Sequence, residues 1–305
     1  MKQAVVIHNP NSGKRKNVID ILKKSKEIFL KYGYDFRLIE TKYKGHAEEI
    51  LSYIEPVNLI ISVGGDGTFN EIVTGNLTRK EPITLSHIPV GTANDLRDLF
   101  GLGSDILKNI ELILKGENKQ IDLCLINNHP FVYVAGFGKF MNISYDTPRK
   151  QKSKFGYLAY LGAGFIDFFK PLDTYDIDYE INGQVYNGKY TLGIISNANR
   201  IAGVKNFYRD VKLDDDCFEV LLCKTNKKNK FLKSLVDIGL NDVTTSKGFD
   251  FFRTNNIKIH FNNKLKNPWT IDGERFKNNI DSYEIKIKKM QFRLSSDAAK
   301  RNCMR

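Results

Sequence analysis

Leu59-Ile60-Ile61-Ser62-Val63-Gly64-Gly65-Asp66-Gly67-Thr68-Phe69-Asn70-Glu71 is the stretch that decides the fold. An apolar run without polar alternation suits a strand buried on both faces, and the glycines that follow break it before a helical segment, Phe69 to Asn76. Towards the N-terminus, Ala4 to Ile7 is another apolar run, closed by His8-Asn9-Pro10-Asn11-Ser12-Gly13. Val18 to Lys31 then spaces Val18, Ile21, Leu22, Ile28 and Phe29 as one amphipathic helix. Asp35 to Thr41 reads as a strand and His46 to Ile54 as a helix. Thr84 to Ile88 gives a further strand before Pro89-Val90-Gly91-Thr92-Ala93-Asn94-Asp95, and Ile106 to Lys115 a helix ended by Gly116. Strands alternating with helices predict a mainly parallel sheet covered on both faces, forming a first domain over residues 1–125.

From Ile121 the texture changes to period-two segments: Phe131 to Ala135, Tyr175 to Ile181, Val185 to Ile195, Phe218 to Cys223, Ile257 to Phe261 and Tyr283 to Ile287. Asn182-Gly183 between two of them is a tight-hairpin signal. Residues 126–305 are therefore expected to form an antiparallel β-sandwich, with helical stretches near Phe155 to Phe169 and Phe231 to Leu240. The final residues are expected to pack back on the first domain. Pro148 to Lys154, with four basic residues and no apolar one, reads as an exposed loop.

The chain has 305 residues, 41% of them hydrophobic, enough for two domains of about 150 residues and against disorder. Val57 to Val63 and Leu158 to Phe169 are too short to cross a bilayer, which takes about 20 residues, and Ala4 to Ile7 is too short for a signal-peptide core. Cys124, Cys217, Cys223 and Cys303 stand singly, without zinc or redox spacing, and are expected to be free thiols. These features predict a cytoplasmic protein. Net charge is +12, yet residues 1–220 hold 28 Lys and Arg against 27 Asp and Glu, so the excess falls later, at 19 against 8. Such asymmetry points to a polyanionic partner, nucleic acid or an anionic membrane surface, or to a merely basic solvated surface.

Three glycines between a buried strand and a helix let backbone N–H groups approach phosphate oxygens, while the helix N-terminus adds partial positive charge. By itself the loop is also an ordinary Gly-rich turn. A carboxylate inside a phosphate loop repels phosphate unless a metal intervenes, so Asp66 points to Mg²⁺ beside a nucleotide. Asn9 to Lys14 and Gly91, Thr92, Asn94 and Asp95 lie at strand ends, where open α/β sheets place ligands. Asp66, Asp95 and Asp122 could converge on one metal, although each alone is more often a cap or a turn residue. There is neither a Walker loop nor a dinucleotide fingerprint.

Asn9-Pro10-Asn11-Ser12-Gly13, Gly64 to Glu71 and Gly91-Thr92-Ala93-Asn94-Asp95, in that order, resemble the diacylglycerol kinase catalytic-domain family, closest to its soluble bacterial lipid-kinase branch and related to sphingosine and ceramide kinases. Lys212-Leu213-Asp214-Asp215-Asp216 and Ile271-Asp272-Gly273-Glu274 extend the likeness over essentially the whole chain. The resemblance implies an N-terminal Rossmann-like three-layer domain, a C-terminal antiparallel β-sandwich, an active site in the interdomain cleft, and ATP and Mg²⁺ as cofactors. By position, Asn9, Pro10, Asn11, Ser12, Gly13, Thr41, Gly65, Asp66, Gly67, Thr68, Phe69, Asn70, Glu71 and Thr92 would hold ATP. Asp66, Asp95 and Asp122 would form a water-mediated network around the catalytic Mg²⁺. Glu274 matches the general base, with Asp272 its alternative or helper; without the resemblance, Asp272-Gly273-Glu274 reads as a hairpin turn.

Lys212 to Cys217 resembles the family's second, structural Mg²⁺ site, with the Asp215 side chain and the backbone carbonyls of Lys212 and Cys217 as ligands. Asp216 stands where glycine is usual, so either the loop avoids a positive φ or an extra charge sits beside the ion. Lys227, Lys228, Lys230, Lys286, Lys288 and Lys289 are candidates for docking on the inner face of a membrane, with no nucleic acid expected. Phe155, Tyr157, Tyr160, Phe165, Phe168 and Phe169, with Gly156, Gly162 and Gly164, would shape a lipid entry or simply pack a core. The implied reaction moves the γ-phosphate of ATP to a lipid hydroxyl, foremost that of diacylglycerol to give phosphatidic acid. Phosphatidylglycerol, a sphingoid base and an undecaprenyl-like alcohol are alternative acceptors. NAD kinase and a noncatalytic lipid- or nucleic-acid-binding protein are the alternative classes. Members of the family often form dimers, so a homodimer is also an expectation.

Overall fold

The computed structural model describes residues 1–13, 17–91, 97, 100–139, 172–197, 200–201, 204–205, 208, 211–224, 248–276, 280–296 and 298. The chain divides into two units, Met1–Ile121 with Lys289–Arg305, and Asp122–Lys288. The first unit carries a parallel sheet with strands β1 (Lys2–His8), β2 (Tyr34–Glu40), β3 (Leu59–Gly64) and β4 (Leu85–Pro89) in the order β2-β1-β3-β4. Every residue of β3 is buried, Ser62 included, as expected of a strand covered on both faces. Helices α1 (Val18–Lys24), α2 (Lys26–Lys31), α3 (His46–Tyr53), α4 (Asp66–Leu77) and α5 (Ile106–Lys115) connect the strands. The single helix expected over Val18 to Lys31 is broken at Ser25, which is fully buried and whose hydroxyl donates back to the Leu22 carbonyl at 2.6 Å. A serine that satisfies itself on the preceding turn competes with helix continuation.

The chain's last described residues belong to the first unit. Arg293 donates to the carbonyls of Ile113 (2.9 Å) and Leu114 (2.8 Å), so a cation closes the C-terminal end of α5. Ser86 donates to the Arg293 carbonyl at 2.7 Å, and Phe292 packs against Phe69 and Phe100.

His87, on β4, is fully buried and stacks on Phe69 at 4.5 Å, and burial pushes its pKa down to about 3. The unfolded chain therefore takes up a proton below about pH 6.5 that the fold rejects, and stability falls as pH drops from 6.5 towards 3 by about 1.4 kcal/mol per pH unit. Glu219 works in the opposite sense: burial raises its pKa to about 7, so its contribution is present below about 4.5 and lost as pH rises through 7. The difference between wild type and His87→Leu isolates the histidine. Denaturant melts at pH 6.5 and 5.5 are expected to show a weaker acid sensitivity in the variant, and equal slopes would remove His87 from this role.

In the second unit the chain continues through β5 (Asn118–Ile126), whose first residues lie in the first unit, then β6 (His129–Phe131), β7 (Val134–Gly138), β8 (Tyr175–Ile181), β9 (Gln184–Tyr190) and β10 (Leu192–Ser196). There follow the short β11 (Arg200–Ile201) and β12 (Val204–Lys205), then β13 (Phe218–Cys223), β14 (Phe249–Thr254), β15 (Asn256–Phe261), β16 (Thr270–Ile271), β17 (Glu274–Arg275) and β18 (Ser282–Arg293), whose residues from Lys289 onward lie in the first unit. Six strands form an antiparallel sheet in the order β14-β13-β10-β7-β16-β17, while β18, β15, β8 and β9 pair antiparallel in that order. Side chains from both sets meet in one core, with Phe137, Phe261, Trp269 and Tyr283 at its centre. The fold is thus an α/β unit and an antiparallel β unit built as a sandwich.

Val185 to Ile195, expected as one segment, is two strands that pair in different sheets, β9 with β8 and β10 with β7 and β13. The break is buried Thr191, whose N–H donates to the Cys223 carbonyl and whose own carbonyl accepts from Lys139, both at 2.9 Å. Phe131 to Ala135 is likewise divided between β6 and β7, and β14 and most of β18 lie beyond the expected strands. Asn182 and Gly183 close the β8–β9 hairpin with φ of 52° and 76°, the backbone that this dipeptide favours. The expected helices near Phe155 to Phe169 and Phe231 to Leu240, the loop Pro148 to Lys154 and Cys303 lie outside the described residues.

Candidate active site

Two loops meet at the carboxyl ends of β1 and β3, which are neighbours in the sheet. Asn9 holds both: its side-chain amide donates to Thr68 Oγ1 at 2.8 Å, and its Oδ1 accepts the Asn11 N–H at 2.9 Å. Gly65 N–H donates to Ser12 Oγ at 3.2 Å. Gly13 sits at φ +76° with its missing Cβ only 1.9 Å from the Val90 carbonyl oxygen, so only glycine lets this loop close on the chain after β4. Gly65 caps α4 without a side-chain hydrogen bond. Among the described residues, a Cβ on Gly67 would meet nothing within 4 Å beyond its own helix, and one on Gly65 nothing nearer than 3.9 Å. Glycine-lined space at the N-terminus of a 12-residue helix, with Asp66 in its first turn, fits polyphosphate and a counter-cation. Thr92, Asn94, Asp95 and Lys14 lie outside the described residues.

Two residues expected at the nucleotide act through the scaffold. Phe69 is fully buried with its ring among His87, Phe100 and Phe292, so it meets a ligand only through its backbone. The carboxylate of Glu71 accepts the N–H groups of Gly45 (2.9 Å) and Ala47 (3.3 Å) at the start of α3, tying α4 to α3. Thr41 is buried, and its N–H donates to the His8 carbonyl at 2.9 Å.

In the second unit Asp122 is buried at 2% exposure and held by the Asp215 loop. Its Oδ2 accepts the Asp216 N–H at 2.7 Å, its N–H donates to the Leu213 carbonyl at 2.7 Å, and its carbonyl accepts the Asn197 amide at 2.8 Å. Asp216 has φ +63°, so the loop keeps the left-handed turn where glycine is usual, and its side chain is exposed. Asp215 Oδ1 accepts the Cys217 N–H at 3.3 Å and Oδ2 pairs with Arg253, whose Nε lies 3.3 Å from Glu219 Oε1. Arg253 and Glu219 face each other across the β13–β14 ladder. Both Asp215 oxygens are thus engaged, Oδ1 by its own loop and Oδ2 by a guanidinium. Arg253 and Glu219 escaped the sequence reading; a lone cation in the aromatic run Phe249 to Thr254 was the only signal.

Asp272 and Gly273 turn at φ 46° and 82° between β16 and β17. The Asp272 carboxylate accepts three backbone N–H groups, those of Val132 (2.7 Å), Tyr133 (3.1 Å) and Val134 (3.2 Å), which makes it an anchor of the preceding loop. Glu274 follows on β17 and is exposed. Of the two carboxylates in this turn, Glu274 is the one turned to solvent.

A glycine-lined helix N-terminus at the carboxyl end of a parallel strand, beside a second such strand end, is where α/β proteins of the phosphate-binding class place their ligand. The model of the diacylglycerol kinase catalytic domain matches residues 3–126. A diacylglycerol kinase of Bacillus subtilis (strain 168) is 29% identical over 90% of this chain and 90% of its own, and one of Staphylococcus saprophyticus is 31% identical over 85% and 82%. The crystal structure of a diacylglycerol kinase from Bacillus anthracis str. Sterne superposes with TM-score 0.74 over 97% of this chain and 98% of that one, at 21% identity. A second crystal structure from that organism gives TM-score 0.78 at 23% identity, covering 97% and 96%.

This chain belongs to the diacylglycerol kinase family. It is a lipid kinase, a phosphotransferase that takes an alcohol group as acceptor, and ATP is the donor that membership of a kinase family implies.

Proposed function

We propose that the protein transfers the γ-phosphate of ATP, in a Mg²⁺-dependent reaction, to the free hydroxyl of diacylglycerol, giving phosphatidic acid and ADP. The observation that carries this reading is the start of α4, where Gly65 N–H meets Ser12 Oγ and no atom of the other described residues crowds Gly65 or Gly67. There the helix N-terminus and exposed N–H groups receive the phosphates of ATP, while Asn9 and Ser12 keep the two loops in register. Asp66, Asp95 and Asp122 would hold Mg²⁺ through water. When bound, Mg²⁺ neutralises the charge developing on the β- and γ-phosphates. Glu274 takes the proton of the lipid hydroxyl as its oxygen forms the new bond to the γ-phosphorus and the bond to ADP breaks. The anchored Asp272 fixes the turn that carries this base. Membership of the diacylglycerol kinase family, and relatives that are themselves diacylglycerol kinases, support diacylglycerol over the other acceptors.

The acceptor lies in a bilayer, and no helix among the described residues is long and apolar enough to cross one. The reading therefore includes peripheral docking on an anionic surface. Lys288 and Lys289 are exposed, Lys286 is half-buried, and Lys227, Lys228 and Lys230 lie outside the described residues. Each cation near such a surface contributes about 1 kcal/mol. Transfer of ³²P from γ-labelled ATP to diacylglycerol, phosphatidylglycerol, a sphingoid base and NAD tests the reaction. Labelled phosphatidic acid is the expected product, while labelled NADP or label only in another lipid would replace the assignment. Sedimentation with phosphatidylglycerol vesicles is expected at low salt and lost at high salt. Salt-independent or absent binding would reject the docking reading.

A further inference from the structure

We propose that Arg253 is the built-in counter-cation of the Asp215–Glu219 pair, that it replaces a second divalent ion in this chain, and that it positions Asp122. Three acidic side chains collect in the second unit. Asp215, Glu219 and Asp122 are 7%, 1% and 2% exposed, and buried carboxylates need a compensating charge or donors. The only described cation paired with Asp215 and Glu219 is Arg253, whose guanidinium pairs with Asp215 Oδ2 through one NH₂ and reaches Glu219 Oε1 through Nε at 3.3 Å. A planar guanidinium suits this task, because two of its donors serve two carboxylates at once. Its place is fixed by strand register, since Arg253 lies directly opposite Glu219 in the β13–β14 ladder.

From Asp215 the order passes through the loop. Cys217 N–H closes on Asp215 Oδ1, which holds the left-handed turn at Asp216, and that turn aims the Asp216 N–H at Asp122 Oδ2. The same loop receives the Asp122 N–H at the Leu213 carbonyl. Arg253 touches none of the groups assigned to ATP or to the acceptor. It acts through the loop, as a positioning residue for Asp122. The consequence for turnover rests on the assignment of Asp122 to the Mg²⁺ network, whereas the consequence for metal-free stability stands without it.

Thermal unfolding of the full chain without nucleotide, in EDTA and in MgCl₂, separates the two cations. Wild type is expected to melt at the same temperature in both. Arg253→Gln is expected to lower the midpoint by roughly 5–10 °C, with Mg²⁺ recovering part of the loss at the vacated carboxylates. Arg253→Lys, which keeps a charge, is expected to retain most of the wild-type midpoint and keeps the test open should Arg253→Gln not fold. A wild-type midpoint that rises with Mg²⁺, and no longer rises in Asp215→Asn, would overturn the proposal by showing a divalent ion there. In the kinase assay, Arg253→Lys is expected to lower kcat at unchanged KM for ATP and to raise the Mg²⁺ concentration giving half-maximal rate. Wild-type kcat and Mg²⁺ dependence in that variant would reject the positioning role. Should the wild-type protein phosphorylate no lipid, the kinase reading fails while the melting comparison still decides the counter-cation.

Discussion

Glu274→Gln is expected to lower kcat by about 10²–10⁴-fold while KM for ATP and the thermal midpoint stay at wild-type values. The amide keeps the size and polarity of the carboxylate but cannot accept the lipid hydroxyl's proton at neutral pH. Glu274 is exposed on the short strand β17, so its packing contributes little to the fold. Its neighbour separates the two effects. Asp272 accepts three backbone N–H groups from Val132 to Val134, and Asp272→Ala leaves those donors without a partner. That variant is expected to lose about 2–4 kcal/mol of stability, which a denaturant melt would show. The reverse outcome, a stable and inactive Asp272 variant beside an active Glu274→Gln, would exchange the two assignments.

Gly13→Ala is expected to weaken ATP binding at least about tenfold and to lower the melting midpoint, because the added Cβ would lie 1.9 Å from the Val90 carbonyl oxygen at φ +76°. A left-handed alanine costs about 1–2 kcal/mol before that clash is relieved, and relief requires the Asn9 to Gly13 loop to draw away from Val90. Gly67→Ala provides the contrast. Its Cβ meets no atom of the described residues within 4 Å beyond its own helix, and alanine in helix α4 gains up to about 1 kcal/mol over glycine, so the fold should hold or improve. The methyl group would nonetheless enter the space assigned to phosphate, so calorimetric titration with ATP is expected to show weaker binding in a fully stable protein. Unchanged affinity in Gly67→Ala would move the phosphates away from the start of α4.

Much of this architecture was legible because its causes are short-range. The run Leu59 to Val63 could bury both faces only in a covered sheet, and Asn182-Gly183 could close a hairpin within two residues. The misreadings share another cause. Val18 to Lys31 has continuous helical periodicity, yet the Ser25 hydroxyl finds the Leu22 carbonyl once burial removes water as a competitor. Val185 to Ile195 has continuous strand character, yet the chain changes sheets at Thr191 because its backbone groups are claimed by Cys223 and Lys139. The return of Arg293 to the end of α5 left no local pattern, since the carbonyls it caps are 179 and 180 residues away.

The candidate site divides along the same line. Asn9, Ser12, Gly13, Gly65 and Gly67 were named from residue type and order, and the structure joins them as two interlocked loops. Phe69 and Glu71 carried the same motif signal, but their side chains serve the core and the start of α3. Asp215 is a metal ligand only by the family resemblance of Lys212 to Cys217, and the structure sets the Arg253 guanidinium beside it.

The sequence by itself determined where backbone must turn, where it is buried on both faces, and where glycines stand between a strand and a helix, since each depends on a residue and its near neighbours. Which charges meet was decided only by tertiary structure. Arg253 reaches Asp215 across 38 residues of chain because β13 and β14 pair in one register, and a one-residue shift would turn that cation to the opposite face of the sheet.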